Sequence, residues 1–216
     1  MFLNNKNMET KNRFKRFLDN FWYIVWKDES LKGWIISCIF IFVIIKFLFF
    51  PILNLTTGTS LPLAIVESCS MHHKGNLFSD YNSWWTRHEN KYSEIQLTKE
   101  QFKNFNFKNG FSKGDILFII KAKPEKLKIG DLIIFNGGIK NPIIHRIINI
   151  KIENKEYIFS TIGDNNNGQL NVEKKISSEQ LIGKAMFRIS PWLGWGKLIF
   201  YEPLRPENEK GFCDER

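Results

Sequence analysis

A continuous apolar run near the start of the chain constrains the fold more than any other feature. It extends from Trp34 to Leu53, reads WIISCIFIFVIIKFLFFPIL, and carries a single charge, at Lys46. Twenty residues at about 1.5 Å per residue form a helix of about 30 Å, which matches a bilayer core. The run is too long and begins too late for a cleaved export signal, and it is too apolar for a helix exposed to solvent. We therefore expect one transmembrane helix over residues 34–53.

Basic residues are concentrated on one side of this run. None follows it until Lys74, whereas seven precede it: Lys6, Lys11, Arg13, Lys15, Arg16, Lys27 and Lys32. Cytoplasmic flanks of membrane helices are enriched in Lys and Arg, so residues 1–33 are expected to be cytoplasmic and residues 54–216 extracytoplasmic. Residues 17–32 mix aromatic and charged side chains, which is typical of an amphipathic helix at the inner membrane interface.

The composition suits one globular domain attached to a membrane element. The chain has 216 residues, 43% hydrophobic and 25% charged, with a net charge of +9. The basic residues are interspersed with acids, and no basic block alternates with aromatics, so a nucleic-acid partner is not expected. Of the three cysteines, Cys38 lies in the apolar run. Only Cys69 and Cys213 could form a bridge, and no disulfide framework is expected.

The part of the chain after the apolar run is predicted to be mainly β. Short apolar runs between turn residues indicate strands at residues 63–66, 114–120, 130–135, 143–152 and 157–162. An insertion at about 74–112 is polar and aromatic and is expected to be partly helical, with Thr98 and Gln101 forming a capping box. The apolar tail at residues 191–201 is too short to span a bilayer. It either enters the outer leaflet or packs as a last strand or helix.

Three polar residues at the ends of strand-like runs could form an acyl-transfer site. Ser70 is the candidate nucleophile, His145 the general base, and Asp164 the carboxylate that orients the base. Their spacing alone carries no information, because such triads are recognised by their spatial roles.

The phrases around these residues are more specific. They are Ser68-Cys69-Ser70-Met71, Gly130-Asp131-Leu132-Ile133-Ile134-Phe135, Ile144-His145-Arg146 and Gly163-Asp164-Asn165-Asn166. In this order they resemble the type I signal peptidases of the archaeal and endoplasmic-reticulum branch, membrane-bound serine proteases that remove signal peptides from exported proteins. The resemblance covers residues from about 34 to 200.

The resemblance implies a signal-peptidase-like β domain and a role for each matching residue. Ser70 would attack the peptide bond with His145 as base, and the Ser68 hydroxyl and the Ser70 N–H would stabilise the oxyanion. The neighbouring Met71 and Ile144 would contact the substrate. The expected partners are signal-peptide-bearing precursors and membrane lipid, with no cofactor and no metal.

The chain departs from the family pattern at the acid. Relatives often carry a second aspartate six residues after the Gly-Asp-Asn aspartate, and here that position is Leu170. Asp164 is therefore the expected catalytic acid, and Glu173 is a distant substitute. This assignment predicts a large loss of turnover in Asp164→Asn and a nearly silent Glu173→Gln.

Two other functions remain open at this point. A membrane-anchored β domain could keep the fold for binding or complex assembly without catalysis, and the missing second aspartate favours that alternative. A metal-dependent hydrolase could use the histidines, which are His72, His73, His88 and His145, but no metal-protease spacing such as His-Glu-x-x-His is present. His72 and His73 are therefore expected to be partly exposed loop residues.

Overall fold

The chain folds as two compact units, Met1–Thr56 and Thr57–Arg216. A computed structural model describes residues 2–75 and 81–214, and the side chains of all of these except residues 2–12 and 208. Residues 76–80, which belong to the predicted insertion, lie outside the described residues.

The first unit is helical. Its helices are α1 (Phe2–Trp26), α2 (Leu31–Ile44) and α3 (Phe50–Thr57), and a π-helical turn at Ile45–Phe49 joins the last two. The resulting helix, Leu31–Thr57, has 27 residues and a mean hydropathy of 2.8 in its most apolar window. Among the described residues it is the one helix long and apolar enough to cross a membrane. One apolar helix is thus confirmed, and its orientation stays a prediction.

A tight turn separates α1 from α2, so the expected helix over residues 17–32 is wrong in its extent. The Ser30 hydroxyl caps α2 by accepting a hydrogen bond from the Gly33 N–H (3.1 Å). The Asp28 carboxylate accepts one from the Ser30 N–H (2.9 Å). These two bonds stabilise the turn between α1 and α2. The Ser37 hydroxyl of α2 also donates a hydrogen bond to the Val25 carbonyl of α1 (2.6 Å).

The second unit is built on an antiparallel sheet with seven strands in the described residues, which are β1 Leu63–Ile65, β2 Ile116–Ile120, β3 Leu132–Phe135, β4 Ile143–Glu153, β5 Glu156–Ile162, β6 Ile176–Ser177 and β7 Leu181–Ser190. Their order in the sheet is β1-β2-β7-β3-β4-β5-β6. The five predicted strands are confirmed within two residues at each end. The sequence patterns missed β6 and β7.

The insertion forms an aromatic layer against the sheet. Its helices are α4 (Tyr81–Ser93) and α5 (Lys99–Lys103), and the predicted capping box of Thr98 and Gln101 is present. The layer packs on Ile148 and Ile162 through buried side chains, which are Tyr81, Trp84, Trp85, Tyr92, Leu97 and Phe102. After β7 the tail forms one short helix, α6 (Trp195–Leu198).

Candidate active site

Ser70 lies in a loop that directly follows the edge strand β1. Its hydroxyl is 3.1 Å from the hydroxyl of Ser68, and Ser70 is partly exposed. The Ser70 carbonyl accepts a hydrogen bond from the Asn165 N–H (2.7 Å). Asn165 also donates from its side chain to the Cys69 carbonyl (2.9 Å). The backbone around Ser70 is therefore bound to the turn that follows β5.

Glycine is required in that turn. A Cβ on Gly163 would lie 2.8 Å from the Ser70 carbonyl oxygen and 2.7 Å from Nδ2 of Asn166. Lys91 of α4 stabilises the turn from the other side, because its ammonium donates to the carbonyls of Gly163, Asp164 and Asn166. Burial lowers the pKa of Lys91 to about 8.

His145 lies in β4, where it pairs with Ile133 of β3, and it is buried. Its Nδ1 is hydrogen bonded to Oε1 of Glu173, which is also fully buried. The Thr161 hydroxyl donates to the same oxygen (3.1 Å), and the Leu170 N–H donates to Oε2 (2.7 Å). The carboxylate that contacts His145 is therefore held in one orientation.

This contact corrects the expected role of Asp164. Successive side chains of a strand point to opposite faces of the sheet, so His145 and Arg146 face opposite ways. Asp164 is paired with Arg146, at 2.6 Å from Nη2 to Oδ2. Glu173 lies on the His145 face. Asp164 thus lies on the wrong face of β4 to orient His145. Glu173, which the sequence analysis named as a distant substitute, contacts His145 instead.

Asp164 is the centre of a buried polar cluster. Besides Arg146, its carboxylate accepts hydrogen bonds from Tyr92 (2.9 Å) and from Nε2 of His73 (3.0 Å). Burial raises the pKa of the Asp164 carboxyl, but the charge of Arg146 and the hydrogen bonds from His73 and Arg146 outweigh it and hold that pKa well below its usual range. The charged form of Asp164 is therefore favoured, and this carboxylate anchors the turn next to Ser70.

The four histidines have different hydrogen-bond partners, although His73 and His88 both stack on Trp84. His73 is buried and stacks on Trp84 with ring centroids 3.7 Å apart, so its expected exposure is wrong. Burial lowers the pKa of His73 to about 4, against the opposing effect of Asp164. His72 is bonded to the Ser112 hydroxyl (2.7 Å), and His88 to the Trp84 carbonyl (2.8 Å). Within residues 2–75 and 81–214, no group of three or more His, Cys, Asp or Glu side chains could hold a metal ion.

The two residues expected to contact substrate differ in exposure. Met71 is 1% exposed and belongs to the core beneath the sheet, where its sulfur accepts the Asp164 N–H (3.4 Å). It therefore supports the turn instead of presenting a surface. Ile144 is partly exposed and packs at the edge of the same core.

Cys69 and Cys213 form a disulfide, with Cα atoms 5.3 Å apart. This is the one pair that the sequence left open. The bridge joins the residue before Ser70 to the end of the chain, 144 residues later. Cys38, in α2, is free and exposed.

Comparison with known proteins adds no identification: no protein-family model matches the chain, and no curated protein matches it significantly.

Proposed function

We propose that this protein is a membrane-anchored serine endopeptidase that removes signal peptides, of the Ser-His type I signal peptidase class. The observation that carries the proposal is the buried hydrogen bond between His145 and Glu173. A carboxylate at Nδ1 fixes the imidazole tautomer and leaves Nε2 as the nitrogen that accepts a proton. An imidazole oriented in this way is the kind of base that activates a serine hydroxyl, and the proposal assigns that hydroxyl to Ser70.

The reaction follows from these roles. The Ser70 hydroxyl attacks the peptide carbonyl while His145 accepts its proton, and Glu173 stabilises the resulting imidazolium. His145 returns the proton to the leaving amine and then activates water to hydrolyse the acyl-enzyme. The Ser70 N–H and the Ser68 hydroxyl, whose oxygen is 3.1 Å from that of Ser70, would stabilise the oxyanion. One such donor typically contributes about 3 kcal/mol.

The free side of β1 suits an extended substrate. Val66 is bonded to the β2 side, since its N–H donates to the Asp115 carbonyl (2.9 Å) and its carbonyl accepts from Gly114 (2.8 Å). By alternation the backbone groups of Leu63 and Ile65 point away from β2. In the described sheet β1 is an edge strand and leads directly to the Ser70 loop. A signal-peptide segment could add there as a strand.

Two features support a location outside the cytoplasm for this domain. The basic residues precede the apolar helix, which favours a cytoplasmic amino terminus. The Cys69–Cys213 disulfide is typical of an oxidising compartment. Both support the proposal that the catalytic domain faces the extracytoplasmic side, where the cleavage end of a signal peptide would emerge.

The non-catalytic alternative loses its main support, because it depended on the missing second aspartate at position 170. Glu173 supplies a buried carboxylate to His145 three residues later. The metal-dependent alternative would need histidine nitrogens that point to one common site, whereas each described histidine has a different hydrogen-bond partner.

The proposal is tested with full-length protein in detergent and two precursors. One carries Ala at the first and third positions before the cut, and the other carries Phe at the first position. Signal peptides end in an A-x-A-like pattern, so we expect cleavage of the first and no cleavage of the second. Equal processing of both precursors, or of neither, would contradict the proposal.

A further inference from the structure

The carboxyl-terminal segment 202–214, here called the strap, is held against the domain by a buried lysine. The side chain of Lys113 is 1% exposed, and its ammonium forms an ion pair with Glu202. It also donates to the carbonyls of Glu209 (2.8 Å) and Gly211 (3.2 Å). One cation thus binds the strap at three points.

The end of the strap reaches the Ser70 loop at two places. Cys213 is bonded to Cys69, the residue directly before Ser70. The Asp214 carbonyl accepts a hydrogen bond from Nδ2 of Asn165 (2.9 Å). Asn165 in turn bonds the Cys69 carbonyl through its side chain and the Ser70 carbonyl through its N–H. The backbone on both sides of the Ser70 nitrogen is therefore held by the strap and by the turn that the strap contacts.

We propose that the strap is a positioning element for the Ser70 nucleophile, and that its disulfide makes the peptidase activity dependent on redox state. This inference rests on the proposed function. The Ser70 hydroxyl and N–H need a defined orientation toward the scissile carbonyl, and an error of about 1 Å in a catalytic group can cost on the order of a hundredfold in rate. Opening the bridge frees Cys69 from Cys213 and leaves the loop with its hydrogen bonds alone.

The reductant is a dithiol. One thiolate of the dithiol attacks a sulfur of the Cys69–Cys213 bridge, and a mixed disulfide forms as the other cysteine leaves as a thiolate. The second thiol of the reagent then displaces the protein sulfur. The protein gains two electrons and two protons as two thiols, and the reagent becomes a cyclic disulfide.

The test uses full-length protein in detergent, before and after reduction with dithiothreitol, with free thiols counted by alkylation and mass spectrometry. We expect the kcat for precursor cleavage to fall about tenfold or more, with little change in KM, and to recover on reoxidation. Cys213→Ala should be as slow as the reduced wild type and insensitive to dithiothreitol. Cys38→Ala lacks only the free cysteine and should respond like the wild type.

A second measurement does not depend on activity. Hydrogen exchange should rise on reduction in peptides covering residues 68–73 and 163–166, and remain unchanged in β3 and β4. Lys113→Met, which releases the strap with the bridge intact, should raise exchange in the same peptides. If fully reduced protein keeps its kcat and its exchange pattern, or if exchange rises throughout the domain, the positioning role is wrong. If the wild type cleaves no precursor, the proposed function fails, and the exchange experiment still decides the role of the strap.

Discussion

At the scale of single residues, two buried carboxylates serve different groups of one strand. Asp164 neutralises the fully buried Arg146, whereas Glu173 contacts His145, the preceding residue of β4. Arg146 makes further bonds to the carbonyls of Asn106, Gly130 and Phe107, and its guanidinium lies 4.6 Å from the centre of the Phe102 ring. The Asp164–Arg146 pair therefore joins the insertion to the sheet, which is a structural role.

Substitution of the two carboxylates should separate structure from catalysis. Glu173→Gln is expected to keep the fold and to lower turnover by roughly a thousandfold, because an amide no longer stabilises the imidazolium of His145. The exposed Glu179→Gln removes the same charge and should be silent. A nearly normal turnover number in Glu173→Gln, measured with precursor in excess, would show that Glu173 has no catalytic role.

Asp164→Asn should act on stability. It leaves the buried Arg146 without its counter-charge, and breaking a buried pair in this way costs about 3–5 kcal/mol. The expected result is a lower free energy of unfolding in denaturant titrations followed by tryptophan fluorescence. An Asp164→Asn protein of unchanged stability that had lost its turnover would restore the catalytic assignment of Asp164.

His73 should make stability depend on pH. Burial lowers its pKa from 6.5 to about 4 in the folded protein, so between these values the unfolded chain binds a proton that the folded protein does not. The contribution of neutral His73 to the free energy of unfolding is fully present above pH 6.5. It is lost as the pH falls toward 4, by up to roughly 3 kcal/mol. Denaturant titrations across this range should show a smaller decline in His73→Gln than in the wild type. Equal declines would show that His73 does not titrate in this way.

At the scale of elements, apolar runs bounded by turn residues predicted five of the strands. β7 was missed because its sequence, LIGKAMFRIS, carries a glycine and two basic residues among its apolar ones, although it pairs with both β2 and β3. The carboxylate that contacts His145 was ranked second in the sequence analysis for another reason. The match of Asp164 to the family's Gly-Asp-Asn phrase favoured it as the partner of His145. The side chains of His145 and Arg146 alternate along β4, so one carboxylate could not contact both of them.

Proline substitutions in β1 test whether substrate adds to its free edge. Ile65→Pro removes an N–H that points away from β2, so we expect the protein to fold and precursor cleavage to fall sharply. Ala64→Pro removes an N–H on the β2 side and should destabilise the domain itself. Circular dichroism and precursor cleavage together distinguish the two variants. Full activity in Ile65→Pro would exclude substrate pairing at this strand.

At the scale of the whole molecule, the sequence predicted an apolar helix followed by a mainly β domain, and both are present. It could not predict which long-range contacts surround Ser70. The sequence left Cys69 and Cys213 as the one possible pair, but it did not predict that the bridge forms. This bridge and the bonds of Asn165 join positions 49 to 144 residues apart, and no local pattern predicts such contacts. The position of the Ser70 loop is therefore a property of the folded domain.

The serine mechanism is tested most directly by the rate at which full-length Ser70→Ala cleaves a precursor in detergent. We expect less than about a hundredth of the wild-type rate, because the proposed nucleophile is gone and His145 has no serine proton to accept. Ser93→Ala, an exposed serine at the end of α4, should cleave at the wild-type rate. A folded Ser70→Ala protein that retains more than about a hundredth of the wild-type rate would contradict the serine mechanism.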